Sequence, residues 1–201
     1  MKTKNTLEFS CDCGKVGGTI DAKNLKDYRA ICYCNDCQAY ARYLGRQDLL
    51  DKHGGTDVIP VTPAKIKFTQ GQQFLKCLRL SDKGMYRWYA DCCKTPIANI
   101  PENPKIPYVG LLNHVLLKKN SVEDINAAFG VVHRGIQAKF ALGTPPVWAA
   151  KTVSPGFMLR VIRFALRAKI KGEGQPSPFL NENGDPKVQP QVLSASELSK
   201  P

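Results

Sequence analysis

No apolar stretch in this sequence approaches the ~20 residues that cross a bilayer as a helix, so no membrane span is expected. Nor does an apolar run follow the basic start Met1-Lys-Thr-Lys4, and the N-terminus does not read as a secretory signal. Acidic residues are in deficit: 17 Asp and Glu face 29 Lys and Arg, a formal balance of +12. Such a surplus favours anionic partners, whether nucleic acid, acidic lipid headgroups or an anionic small molecule, but alone it selects none of them. Histidine is scarce, at three residues. His114 and His133 have no metal-like neighbours and read as structural or exposed. No internal repeat is apparent. What is present in ordinary measure, 43% hydrophobic and 23% charged residues over 201 positions, excludes wholesale disorder and suits one domain with a core.

The cysteines are unusual, eight in all. Seven fall into three short clusters, each beside a strand-like stretch. Cys11-Asp-Cys13-Gly14 follows Thr6-Leu-Glu-Phe9. Cys32-Tyr-Cys34-Asn-Asp-Cys37 follows Tyr28-Arg-Ala-Ile31 and opens a helix predicted over Gln38 to Leu44, stopped by Gly45. Cys92-Cys93-Lys-Thr-Pro96 follows Met85-Tyr-Arg-Trp-Tyr89. Thiolates two or three positions apart on a turn can reach one ion, and a second group from a distant strand closes a tetrahedron with Zn–S near ~2.3 Å. Thiolates also select zinc, copper(I) or iron–sulfur clusters over magnesium or calcium. Disulfides fit poorly: Cys-x-Cys and Cys-Cys spacings are awkward for pairing within a cluster, and the expected compartment, the cytoplasm, keeps thiols reduced. Cys77, alone in the strand-like Gln73 to Leu80, reads as a small core residue.

The three clusters together resemble the glutathione-dependent formaldehyde-activating enzyme family, which includes centromere protein V. The family pattern of Cys-x-Cys-Gly, Cys-x-Cys-x-x-Cys and an aromatic followed by Cys-x-x-Cys-Gly-Thr-Pro is matched by Cys11 to Gly14, Cys32 to Cys37 and Tyr89 to Pro96. The match covers roughly residues 7 to 112. The resemblance implies a mainly β, curved antiparallel β-sheet fold (β-tent-like) that binds zinc, with two Zn²⁺ per chain. It puts a structural zinc on Cys11, Cys13 and Cys93. It puts a second zinc, with one open position suited to catalysis, on Cys32, Cys34 and Cys37. The chain departs from the pattern at Ala90, where the family has a cysteine. Neighbouring Cys92 can supply that thiolate only if the backbone bends. Lys94 replaces a glycine and Tyr33 replaces a histidine, which marks a divergent branch.

Beyond the clusters, Asp51-Lys-His-Gly-Gly-Thr-Asp57 reads as a connecting loop. Near a metal it could instead offer backbone N–H groups to an anion, and His53 could serve as a ligand or acid/base. Strands are predicted over Asp57 to Val61, Lys65 to Thr69, Gln73 to Leu80 and Met85 to Ala90, broken by Pro60, Pro63, Gly71 and Gly84. In the last of these, Arg87 alternates with Tyr86 and Trp88, which reads as the pattern of a sheet with one aromatic face; a carboxylate or base site is the other reading. Ser121 caps a short helix ended by Gly130. Ser154-Pro155 opens a longer helix through Lys171. Arg160, Arg163, Arg167 and Lys171 share one face of it, which reads as the solvated side, with Val161, Ile162, Ala165 and Leu166 packed on the domain. After Gly172 the composition is rich in Pro, Gly, Gln, Ser and Asn.

These readings combine into a zinc-binding β domain over residues 1–112, a helical extension packed on it over 113–172, and an extended or disordered tail over 173–201. The expected function is that of a carbon–sulfur lyase-like enzyme of the S-(hydroxymethyl)glutathione synthase type. Cys32, Cys34 and Cys37 would be its catalytic residues and glutathione or another small-thiol adduct its substrate. Its metal ligands would be those three with Cys11, Cys13, Cys92 and Cys93. No substrate-binding residue is assigned. The alternative is a zinc-stapled module without catalysis, presenting a basic surface to nucleic acid or another acidic partner.

Overall fold

The computed structural model describes residues 5–198, apart from the side chain of Ala195. Residues 1–4 of the expected zinc-binding domain and 199–201 of the expected tail lie outside the described residues.

In chain order the elements are β1 (Thr6–Ser10), β2 (Gly17–Asp21), β3 (Ala30–Cys32), α1 (Asn35–Tyr43), β4 (Thr56–Val61), β5 (Ile66–Gln70), β6 (Leu75–Arg79), β7 (Tyr86–Ala90), β8 (Thr95–Ile100), β9 (Val109–Leu112), α2 (His114–Leu117), α3 (Val122–Phe129), β10 (Gly135–Ile136), α4 (Pro155–Ile170), β11 (Gln191–Val192) and α5 (Ala195–Leu198). β1, β2 and β5 form a small antiparallel sheet in that order. Leu7 and Phe9 alternate inward along β1, as the period of two demands. Gly18 of β2 faces Phe9 on one side and Phe68 on the other. The two rings meet edge to face there at 5.1 Å. A Cβ at Gly18 would stand 2.7 Å from the Phe9 ring and 2.1 Å from the Lys67 carbonyl, so only glycine fits.

The larger sheet has eight strands in the order β10-β3-β4-β9-β8-β7-β6-β11. Its interior pairings are antiparallel, whereas β10 joins β3 and β11 joins β6 in parallel. The expected curved antiparallel tent is therefore wrong: the sheet is mixed and open, and no sheet is closed or strongly curved. The reason lies outside the stretch that carries the resemblance. Residues 135–136 and 191–192 contribute two-residue edge strands that run parallel to their neighbours. Two further strands, β8 and β9, escape the sequence reading. All their residues are buried, because they lie at the centre of the sheet, and such strands lack the alternation that advertises a half-exposed one.

An aromatic chain runs through the core, from Phe9 to Phe68, to Phe179 at 5.5 Å and on to Trp88 at 5.2 Å. Phe179, fully buried, comes from the segment after Gly172, where Ser177 Oγ accepts from the N–H groups of Phe179 and Leu180. Arg29, just before β3, grips both oxygens of Asp57 at 2.6–3.2 Å and donates to Asn126 Oδ1 at 2.8 Å, tying β4 to α3. On α4, Ser154 caps the first turn by accepting from Phe157 N–H. This helix packs through Phe157, Phe164 and Ala168. Contrary to expectation, Ile162 and Leu166 do not pack inward but are about half exposed. Among the described residues no helix is long and apolar enough to cross a membrane.

Candidate metal centre

The hairpin turn between β1 and β2 carries Cys11 and Cys13. It is closed by Cys11 N–H donating to Val16 O at 2.9 Å and by Gly14 in the left-handed region, φ 77°. The turn between β7 and β8 carries Cys92 and Cys93. Lys94 takes the left-handed conformation there, φ 53°, which a glycine adopts without strain. That turn is the backbone bend that lets adjacent cysteines face one point. Sulfur separations are 3.6 Å for Cys11–Cys13, 3.9 Å for Cys11–Cys92, 3.3 Å for Cys13–Cys92 and 3.8 Å for Cys92–Cys93. A tetrahedron with Zn–S near 2.3 Å has edges of about 3.8 Å. The four sulfurs thus form a cluster able to chelate a metal ion.

The thiols of this cluster differ: burial and the neighbouring thiols raise Cys11 and Cys92, whereas Cys93 is lowered. Asp12, between the two hairpin cysteines, is held by Arg46 at 2.6 Å and Lys118 at 2.9 Å. Burial alone would raise its carboxyl, but those two cations hold it below the usual carboxylate range. Thr95 Oγ1 accepts from Asp12 N–H and Arg46 and lies 3.0 Å from the Cys93 sulfur. Burial would also raise the Cys93 thiol, yet the Thr95 hydroxyl, the Cys13 N–H and the neighbouring thiols bring it down to about 6.

The second cluster is built by the end of β3 and the start of α1. Cys34 is the N-cap of α1, its sulfur accepting from Cys37 N–H at 3.4 Å. This cap starts the helix at Asn35, three residues before the sequence reading. The sulfurs of Cys32, Cys34 and Cys37 all lie within 4.8 Å of one another. Hydrogen bonds from the Cys32 and Cys37 thiols, then Cys37 N–H and the Arg87 charge, pull Cys34 down to about 2, while donation to Cys34 pushes Cys32 far up. Cys34 is thus the hydrogen-bond acceptor among the three thiols. They also line a cavity of about 220 Å³ whose walls include Val58, Pro60, Tyr108, Phe157 and Val161.

Over residues 3–189 the chain matches the profile of the Family of unknown function (DUF6151). It belongs to that family. Among curated proteins none matches it. It is also similar to a Rhodobacter sphaeroides protein, a Northeast Structural Genomics target, whose crystal structure aligns with a TM-score of 0.42 at 14% identity, covering 61% of this chain and 98% of that one.

Within this DUF6151 chain the cavity holds one buried cation, Arg87, whose place the sequence reading missed. It is 3% exposed. Its guanidinium reaches Asp36 and Asn99 Oδ1, both at 3.2 Å, lies 4.0 Å from the Cys37 sulfur, and sits over the Tyr40 ring. The signal available was a charged residue alternating with aromatics in a strand whose other members are apolar. The remaining candidates are not gathered into either cluster. His53 Nδ1 stands 3.1 Å from Leu142 O, and the N–H groups of His53 and Gly55 are taken by Asp51, so the loop offers them to no anion. His133 Nδ1 lies 2.9 Å from Val131 O in an exposed loop. His114 Nε2 lies 2.6 Å from Pro96 O. Cys77 is buried, which pushes its thiol up to about 12.

Proposed function

We infer that this DUF6151 chain binds two zinc ions at sites of different kind. Cys11, Cys13, Cys92 and Cys93 would hold a structural ion, since four thiolates fill its coordination and leave no position for a substrate. Cys32, Cys34 and Cys37 would hold a second ion with one position open. A zinc ion there would supply Lewis acidity and stabilise a bound thiolate. The observation carrying this reading is the convergence of only three sulfurs on the wall of a cavity, with no fourth ligand group among the described residues.

The reaction best suited to that site is carbon–sulfur bond formation or cleavage on a small thiol such as glutathione. In the forward sense the thiol sulfur adds to an aldehyde carbon, the C–S bond forms, and the thiol proton ends on the carbonyl oxygen. Arg87 supplies a fixed positive charge beside the sulfurs, and the apolar walls exclude water from the adduct. The resemblance to formaldehyde-activating enzymes supports this chemistry through the cysteine spacing, not through the tent fold.

The test is to incubate the zinc-loaded protein with formaldehyde and glutathione and follow adduct formation. Acceleration over buffer that vanishes in Cys34→Ser supports the reading. A rate equal to buffer with two zincs bound sinks this activity.

A further inference from the structure

Helix α4 turns an apolar face away from the protein. At about 100° per residue, Met158, Ile162, Leu166 and Ile170 form a row on the side away from the packed residues Phe157, Phe164 and Ala168. These four are 47, 46, 54 and 86% exposed, and adjacent Leu159 is 48% exposed. A surface helix ordinarily shows polar residues there. Along one flank of the row stand Arg160, Arg163 and Arg167, all exposed, and the helix contains no acidic residue. Arg160 and Arg167 also border an open groove of about 610 Å³ shared with Lys23, Lys26 and Asp27. Among the described residues no salt bridge engages any of these three arginines.

We propose that α4 lies on an anionic lipid surface, with the row Met158–Ile162–Leu166–Ile170 among the acyl chains and Arg160, Arg163 and Arg167 at the headgroups. Charge complementarity selects this occupant. A second copy docked about a two-fold axis perpendicular to the helix would set antiparallel helices face to face, bringing arginine flank against arginine flank. A nucleic acid would neutralise the arginines and leave five large apolar side chains in water. An anionic bilayer takes both, which is the usual division of labour on an interfacial helix. Phe157 and Val161, on the inward side of the same helix, line the three-cysteine cavity, so α4 would stand between that cavity and the membrane.

The experiment is co-sedimentation of the full chain with vesicles of phosphatidylcholine alone or mixed with phosphatidylglycerol. The chain is expected on the anionic vesicles only, and to be released progressively by salt. The pair Ile162→Gln with Leu166→Gln should weaken binding at least about tenfold, and Arg160→Gln with Arg167→Gln by a similar factor. Melting midpoints should be unchanged, because all four side chains are exposed. The proposal is overturned if anionic vesicles bind no better than neutral ones. It is equally overturned if the apolar pair leaves vesicle binding intact, or if it dissolves a dimer in light scattering while vesicles never bind. Binding to duplex DNA that is lost with the arginines, in a chain that ignores vesicles, also overturns it.

Discussion

The sulfur of Cys13 lies 3.3 Å from that of Cys92, although 79 residues separate them. The contact joins the β1–β2 hairpin to the β7–β8 turn. It brings a fourth sulfur into the cluster although position 90 itself is a fully buried alanine in β7.

If both clusters hold zinc, they differ in what they stabilise. Cys92→Ser should remove one zinc and about 3 kcal/mol of stability, because a structural ion contributes folding energy directly. In a chain of this size that lowers the melting midpoint by about 10 °C. Cys34→Ser should remove the other zinc and leave the midpoint within about 3 °C. Metal analysis with thermal unfolding of both variants checks this; equal melting losses would erase the distinction between the sites.

Lys94 holds the left-handed turn at φ 53° with a side chain that disfavours it. Lys94→Gly should stabilise the fold by up to about 1 kcal/mol without altering metal content. Its ion pair with Asp91 is exposed and contributes little. A fall in the urea midpoint would show that the lysine contributes something its surface contacts do not account for.

Arg87→Met keeps much of the side-chain volume and removes the charge beside Cys37. Zinc affinity at the three-cysteine site should fall about tenfold, the usual cost of deleting a group that supports a ligand. The fold should survive, since Asp36 is 69% exposed and can be solvated alone. Competition with a chromophoric chelator measures the affinity, and an unchanged value would make Arg87 purely structural.

His114 is held down to about 4 from 6.5, first by burial. Asp12 and Asp48 oppose that shift and Arg46 adds to it. The unfolded chain therefore takes up a proton between those values while the folded chain does not. The contribution of His114 to stability is full above pH 6.5 and is lost as pH falls toward 4. In His114→Gln, stability should decline less steeply across that window. Parallel denaturation curves at several pH values for the two chains decide it; identical slopes would mean that His114 does not titrate there.

Arg29→Met should cost roughly 3 kcal/mol, because it strands the Asp57 carboxylate and Asn126 Oδ1 near the β4–α3 junction. Urea unfolding is the measurement. A loss under about 1 kcal/mol would mean that water replaces the guanidinium.

Much of the local structure could be read from residue order, because its causes are local. Ser154-Pro155 and Ser121 begin helices through caps and fixed φ. Alternation in β1 and β5 marks strands with one buried face. The spacing of the three cysteine clusters points to sulfurs able to chelate a metal ion, and the fold brings such sulfurs together. The helix start at Asn35 was misplaced because its cap is a cysteine, Cys34, instead of the usual small oxygen-bearing residue.

What the tertiary structure decided is where the clusters sit and what surrounds them. Alternation placed Arg87 on one face of β7 but could not say that Asp36 and Cys37 cover that face, since those contacts come from α1, 50 or 51 residues away. The open, mixed sheet was equally beyond local reading, because two-residue strands such as β10 and β11 have no propensity signal and exist through pairing with distant neighbours. In α4 both sides are apolar, and only packing against Tyr28 through Phe164 settles which side is buried. Sequence patterns report the chemistry available at each position, whereas burial depends on what distant segments cover, and that is a property of the assembled fold.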